Sequence, residues 1–149
     1  MSKNFYITTA IAYVNAPPHI GFAKEVVMTD AIARYNKLLG KEVYFLTGTD
    51  EHGAKITRSA EKAGVPVRNF VDENSLKVRD LLRILIISNN DFIRTSDEAR
   101  HWPAAIAIWQ KLTESGDIYK KSYHGLYCVG HEAFITEKDL TDGKCADHG

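Results

Sequence analysis

Phe5-Tyr6-Ile7-Thr8-Thr9, a loop closed by Pro17-Pro18, a periodic stretch from Gly21, and then Val43-Tyr44-Phe45-Leu46-Thr47 decide the fold. The first five residues are aromatic or β-branched throughout, the composition of a short buried strand. Residues 10–18 form a loop ending at the proline pair. Between residues 21 and 39 the residues Ala23, Val27, Ala31, Tyr35 and Leu38 recur at steps of three and four, and Gly40 supplies a helix stop. Residues 43–47 read as a second buried strand. Residues 48–53, Gly48-Thr49-Asp50-Glu51-His52-Gly53, read as a tight polar turn into a helix over 54–63. Strand, helix and strand within about forty residues form a βαβ unit, so the strands are parallel and the crossover right-handed. The expected fold class is α/β, a parallel sheet flanked by helices.

Working outward, a helix is expected over residues 66–86, with Pro66 near its start. A third strand follows over 92–95, then a helix reaching about residue 114 that Pro103 starts late or kinks. After Gly116 the texture changes. Ile118-Tyr119 and Leu126-Tyr127-Cys128-Val129 look like short strands punctuated by Gly, His and Cys. The chain divides into residues 1–116, a sheet-and-helix unit, and residues 117–149, the start of an insertion. The apolar residues of 81–87 read as core, and His101, Trp102 and Trp109 as packing residues on a helix.

The composition, 44% hydrophobic and 26% charged, is that of a soluble globular protein. No run of eighteen apolar residues suggests a membrane span, and Met1-Ser2-Lys3-Asn4 lacks a signal-peptide layout, so the expected location is the cytosol. Basic and acidic residues balance at 19 each, which neither implies nor excludes a nucleic-acid partner. The two cysteines of a cytosolic chain favour metal binding over a disulfide. Cys128-Val129-Gly130-His131 and Cys145-Ala146-Asp147-His148 are two Cys-x-x-His half-sites, and two thiolates with two imidazoles make a tetrahedral zinc set. The alternative is two buried thiols with two surface histidines. All four positions would be filled by protein, so the metal's role would be structural.

Two further segments carry chemistry. Pro18-His19-Ile20-Gly21 opens the first helix, and Thr49-Asp50-Glu51-His52-Gly53 follows the second strand. Both fall at carboxyl ends of parallel strands, where open α/β sheets bind ligands. A helix N-terminus offers free N–H groups to phosphate, Gly21 removes a side chain, and Asp50 supplies a carboxylate for a cationic group. Singly, His19 reads as a turn or capping residue and the Asp50-Glu51 pair as solvated loop. Their common position at one mouth of the sheet favours a ligand site. No Walker loop or Gly-x-Gly-x-x-Gly occurs.

Ile7 through Gly21, Phe45 through Gly53, Asp91-Phe92-Ile93-Arg94-Thr95, and Gly125-Leu126-Tyr127-Cys128 with Glu132-Ala133-Phe134 resemble, in order, four blocks of the methionyl-tRNA synthetases, class I enzymes. The resemblance covers essentially the whole chain. It implies a Rossmann-like nucleotide-binding fold of the HIGH superfamily. It also implies ATP-dependent activation of methionine, with Mg, to methionyl-adenylate, followed by transfer to tRNA(Met). It places His19 and Gly21 at the ATP phosphates as catalytic and ATP-binding residues. Asp50 would hold the methionine ammonium, and Ile11 and Tyr13 would line the methionine pocket. The family's zinc knuckle falls at Cys128, His131, Cys145 and His148, usually with cysteine where His131 stands.

Two departures matter: Phe22 occupies the fourth HIGH position, which removes a donor, and Ala12 replaces a larger residue. The family's KMSKS loop and anticodon-binding domain do not occur in these 149 residues. The chain is therefore expected to be an N-terminal part that charges little or no tRNA by itself. The competing readings are a HIGH-superfamily adenylyl-transferring enzyme for another substrate, and a non-catalytic zinc-containing binding module.

Overall fold

The structure is a computed structural model and describes residues 3–148. Its centre is β3 (Glu42–Asp50), which every other strand of the main sheet pairs in parallel. β1 (Asn4–Thr8) and β2 (Ala12–Tyr13) lie along one side of it and β4 (Asp91–Arg94) along the other. The helices α1 (Ile20–Leu38), α2 (Ala54–Ala63), α3 (Val67–Ile84) and α4 (Trp102–Glu114) complete the α/β unit. Beyond it lie two antiparallel ribbons, β5 (Leu126–Cys128) with β6 (Ala133–Ile135), and β7 (Leu140–Thr141) with β8 (Lys144–Cys145). Among the described residues no helix is long and apolar enough to cross a membrane.

Several expectations are corrected. The loop over 10–18 contains β2, and β3 runs on through Gly48, Thr49 and Asp50 because Ala12, Tyr13 and Arg94 pair with its last residues. Asp50 therefore ends a strand and does not ride on a turn. Gly48 is required there: a Cβ would collide with the carbonyl oxygen of Ile93 on β4. Ile118-Tyr119 is not a strand. β1 is an alternating edge, with Tyr6 exposed and stacked on Tyr44 at 5.9 Å between ring centroids.

The edge carries a one-residue bulge. Thr8 faces Leu46 and Ala12 faces Thr49, so Thr9, Ala10 and Ile11 span only Thr47 and Gly48. Such an insertion breaks the ladder and re-aims side chains. Its freed groups are satisfied locally. The amide of Ala10 donates to Glu25 of α1 at 2.7 Å, and the hydroxyls of Thr9 and Thr47 meet at 2.6 Å.

α1 buries Phe22, Val26, Thr29, Asp30, Ala33 and Asn36. The stripe that periodicity selected lies on the other side, where Val27, Tyr35 and Leu38 are exposed among the described residues. The buried face carries Thr29, Asp30 and Asn36 while the other side carries Val27, Ile32 and Tyr35, so apolar spacing alone does not choose a face. The sheet chooses it, through one core of Phe22, Val26, Val78, Leu82 and Phe92, against which Leu81, Leu85 and Ile87 pack. A second core of Val14, Ile56 and Val71 joins the end of the edge strand to α2 and α3. α4 buries nothing among the described residues, so Trp109 is not a packing residue here. Trp102 packs in part, and its indole donates to the carbonyl of Thr95 at 3.0 Å.

Candidate substrate site and metal centre

The bulge and the start of α1 enclose a cavity of about 320 Å³ at the carboxyl end of β1. Ile11, Tyr13, His19, Gly21 and Phe22 all line it. His19 is the N-cap of α1: its Nδ1 accepts from the Gly21 amide at 3.0 Å. Capping does not use the residue up. An imidazole whose Nδ1 accepts carries its proton on Nε2, so the cap selects the tautomer that can donate to a ligand. Gly21 acts here in a way the sequence did not suggest. A Cβ on it would lie 2.7 Å from Cε1 of His19, so the glycine makes room for the capping ring.

Phe22 lines the cavity and also belongs to the core. Histidine at this position would add a donor at the cavity and place a polar ring in an apolar cluster. Phe22→His is thus expected to lower stability by about 1–3 kcal/mol. A thermal melt checks it; an unchanged melting temperature would mean that the core accommodates the polar ring.

Asp50 does not line the cavity but pairs with Tyr13 across the β2–β3 ladder. Among the described residues its carboxylate has only marginal hydrogen bonds, both at 3.5 Å, from the Thr95 hydroxyl and the His52 amide. The adjacent Glu51 is the opposite case. Its side chain is wholly buried and accepts from Arg94 at 2.7 and 2.9 Å, from the Thr49 hydroxyl at 2.7 Å and from Ser96. Burial opposes its ionisation, but these bonds outweigh burial and hold the carboxyl below the ordinary range. Arg94 also pairs with Asp72 of α3 at 2.5 Å. The two neighbouring acids are thus separated by environment: one is saturated, the other open.

Glu132 is a site residue that the sequence reading did not single out. It accepts from the Tyr13 hydroxyl at 3.1 Å and from the Lys55 amide, in the first turn of α2, at 2.8 Å. The Lys55 amide, with the Tyr13 hydroxyl adding to it, holds its carboxyl low against desolvation. Tyr13 responds in the other sense: burial first, and Glu132 second, push its hydroxyl up to about 12. Gly53, at φ 136°, permits this approach, since a Cβ there would strike the Tyr13 hydroxyl. No short-range signal marks the contact, because residues 13 and 132 are joined only by folding.

Cys128, His131, Cys145 and His148 come together with their donor atoms all within 4.8 Å of one another. The sulfur of Cys145 lies 3.5 Å from Nδ1 of His131 and 3.6 Å from Nδ1 of His148, which is also 3.6 Å from the sulfur of Cys128. A tetrahedron with metal–sulfur bonds of about 2.3 Å and metal–nitrogen bonds of about 2.05 Å has sulfur–nitrogen edges of about 3.6 Å. Three edges of the cluster match that length, and the four side chains supply the thiolates and imidazoles such an ion takes. The backbone amide of His131 first, aided by that of Gly130, lowers the Cys128 thiol to about 6, toward the thiolate a metal needs. Gly130 leaves space for the His148 ring, which a Cβ would overlap.

A parallel sheet with a cavity at its strand ends, opened by a histidine-capped helix, defines a class before it defines a member. Residues 5–149 match the family described as tRNA synthetases class I (M), and the chain belongs to it. Among its relatives, the methionine–tRNA ligase of Brucella suis is 51% identical over 92% of this chain and 26% of its own length. That of Rickettsia bellii is 48% identical over all of this chain and 29% of its own. The solved Mycobacterium tuberculosis methionyl-tRNA synthetase in complex with methionyl-adenylate superposes with a TM-score of 0.89 at 46% identity, over 96% of this chain and 28% of that one. The chain thus spans 23–29% of the length of the relatives it matches.

Proposed function

We propose that these residues form the methionine- and ATP-binding part of a methionine–tRNA ligase. The observation that carries this is the convergence of Ile11, Tyr13, His19 and Gly21 on one cavity beside the open carboxylate of Asp50. Asp50 binds the ammonium of methionine, and Ile11 and Tyr13 line the space for its thioether. His19 donates from Nε2 to the phosphates of Mg-bound ATP. The methionine carboxylate attacks the α-phosphorus, the bond to the β-phosphate oxygen breaks, and pyrophosphate leaves with that electron pair. A ribose hydroxyl of the terminal adenosine of tRNA(Met) then attacks the acyl carbon of the adenylate. The bond to the phosphate oxygen breaks, and AMP leaves with that electron pair and takes up the hydroxyl proton. The nucleophile belongs to the substrate, so the protein supplies alignment and stabilisation of phosphate charge.

The Cys128, His131, Cys145 and His148 cluster holds a structural zinc in a segment, residues 117–149, that is distinct from the sheet unit of residues 1–116. The location is the cytoplasm, where unpaired cysteines are the rule.

Methionine-dependent pyrophosphate exchange by the full-length protein, compared with other amino acids, tests the substrate. Preference for another amino acid would overturn it. Metal analysis of the purified chain is expected to find one zinc per chain, released by chelator with loss of order in residues 126–148. A metal-free chain that folds equally well in chelator would sink that part.

A further inference from the structure

We infer that Asp147 is a positioning residue of the Cys/His centre, turning the His131 ring so that Nδ1 faces the other three donors. This rests on the reading of that cluster as a zinc site. Oδ2 of Asp147 lies 3.0 Å from Nε2 of His131, while Nδ1 of the same ring lies 3.5 Å from the Cys145 sulfur. The two ring nitrogens are thereby given different tasks. A neutral imidazole offers a lone pair at one nitrogen only when the proton sits on the other. A carboxylate accepting from Nε2 keeps the proton there, leaves Nδ1 bare toward the donors and makes it a stronger ligand.

The second histidine is held differently. The His148 ring sits where Gly130 has no side chain and meets the His131 ring edge-on, with centroids 4.4 Å apart. His148 is fixed by packing. The His131 side chain is 39% exposed and has Asp147 as its polar partner outside the donor set. With Asp147 itself 71% exposed, the pair as a plain surface ion pair is worth little to stability. Its effect is expected in metal affinity, where ring orientation and proton position count directly. A cysteine in place of His131 would have neither a ring to turn nor a second nitrogen to protonate, so the carboxylate would have nothing to act on.

Zinc affinity, measured by competition with a chromophoric chelator, tests the inference in a double-mutant cycle. Asp147→Asn is expected to weaken zinc binding by about 10- to 100-fold. Asp142→Asn, which removes the same charge from the turn between β7 and β8, should leave it unchanged. In a His131→Cys background, Asp147→Asn should no longer weaken binding. Full affinity in Asp147→Asn, or an equal loss in both backgrounds, would overturn the role of Asp147. Failure of the unmutated chain to bind zinc is a separate result, seen before any variant is made, and overturns the metal reading itself.

Discussion

Arg94→Leu is expected to lower the unfolding free energy by about 3–5 kcal/mol, the cost of leaving one member of a buried ion pair without the other. Glu51 is wholly inside, and the guanidinium supplies two of its bonds; the hydroxyls of Thr49 and Ser96 alone would remain. Asp72 would lose its Arg94 contact as well, although it is partly exposed and water can replace much of that. The loss is a large share of the ~5–15 kcal/mol by which domains are ordinarily stable. Glu51→Leu combined with Arg94→Leu should be milder than Arg94→Leu alone, since an apolar pair strands no charge. Urea denaturation of the three chains at neutral pH decides it. A single variant that costs no more than the double would refute this account.

The same carboxylate sets part of the acid limit. Its folded pKa lies below the unfolded value, so its contribution is fully present above the unfolded value of about 4.3. That contribution disappears as the pH falls through the folded value. Asp30, Asp72 and Asp91 are held low in the same sense. Stability should therefore fall steeply below about pH 4, and less steeply once Arg94 is gone.

The second large effect is expected at Asp50. Truncating one side of a desolvated charge pair typically costs about 2–5 kcal/mol, which corresponds to about 30-fold to several thousand-fold in affinity. Asp50→Ala should weaken methionine binding by that factor in the full-length enzyme, with little change in folding, because the hydrogen bonds of its carboxylate among the described residues are the two at 3.5 Å. Glu51 cannot substitute for it, since all of its bonding capacity is directed inward. The comparison is therefore pointed: Asp50→Ala should lose the substrate and keep the fold, whereas removing the Glu51–Arg94 link should harm the fold. Calorimetric titration with methionine separates them, and an Asp50→Ala enzyme with unaltered affinity would remove the anchor from Asp50.

The parallel βαβ core was legible because strand composition, the helix stop at Gly40 and the polar segment after Thr47 are local signals. Family membership was legible because four blocks stood in order. The buried face of α1 was not, since it carries Thr29, Asp30 and Asn36 while the exposed side carries Val27, Ile32 and Tyr35, and only the sheet distinguishes them. β2 escaped notice because two residues show no period. The saturation of Glu51 was hidden for another reason: its partners Arg94 and Ser96 lie at the end of β4 and just beyond it, separations no spacing rule spans. Glu132 and Asp147 were in view as letters, one within a family block and one within a half-site. Their partners, Tyr13 and His131, became evident only in three dimensions.

The bulge at Thr9, Ala10 and Ile11 sets a limit of a kind that substitutions do not reveal. Side chains on a strand alternate strictly, so the extra residue puts everything after it out of phase with the strand before it. Deleting Ala10 would restore a regular ladder, with Ala12 and Tyr13 still opposite Thr49 and Asp50, and would draw Ile11 out of the bulge that lines the cavity into line with Gly48. Replacing Ala10 would leave the phase intact. Along this edge, then, the residue count is the rigid quantity and residue identity the negotiable one. Ala12, smaller than expected, is the kind of change such a segment absorbs, whereas a one-codon deletion beside it is not.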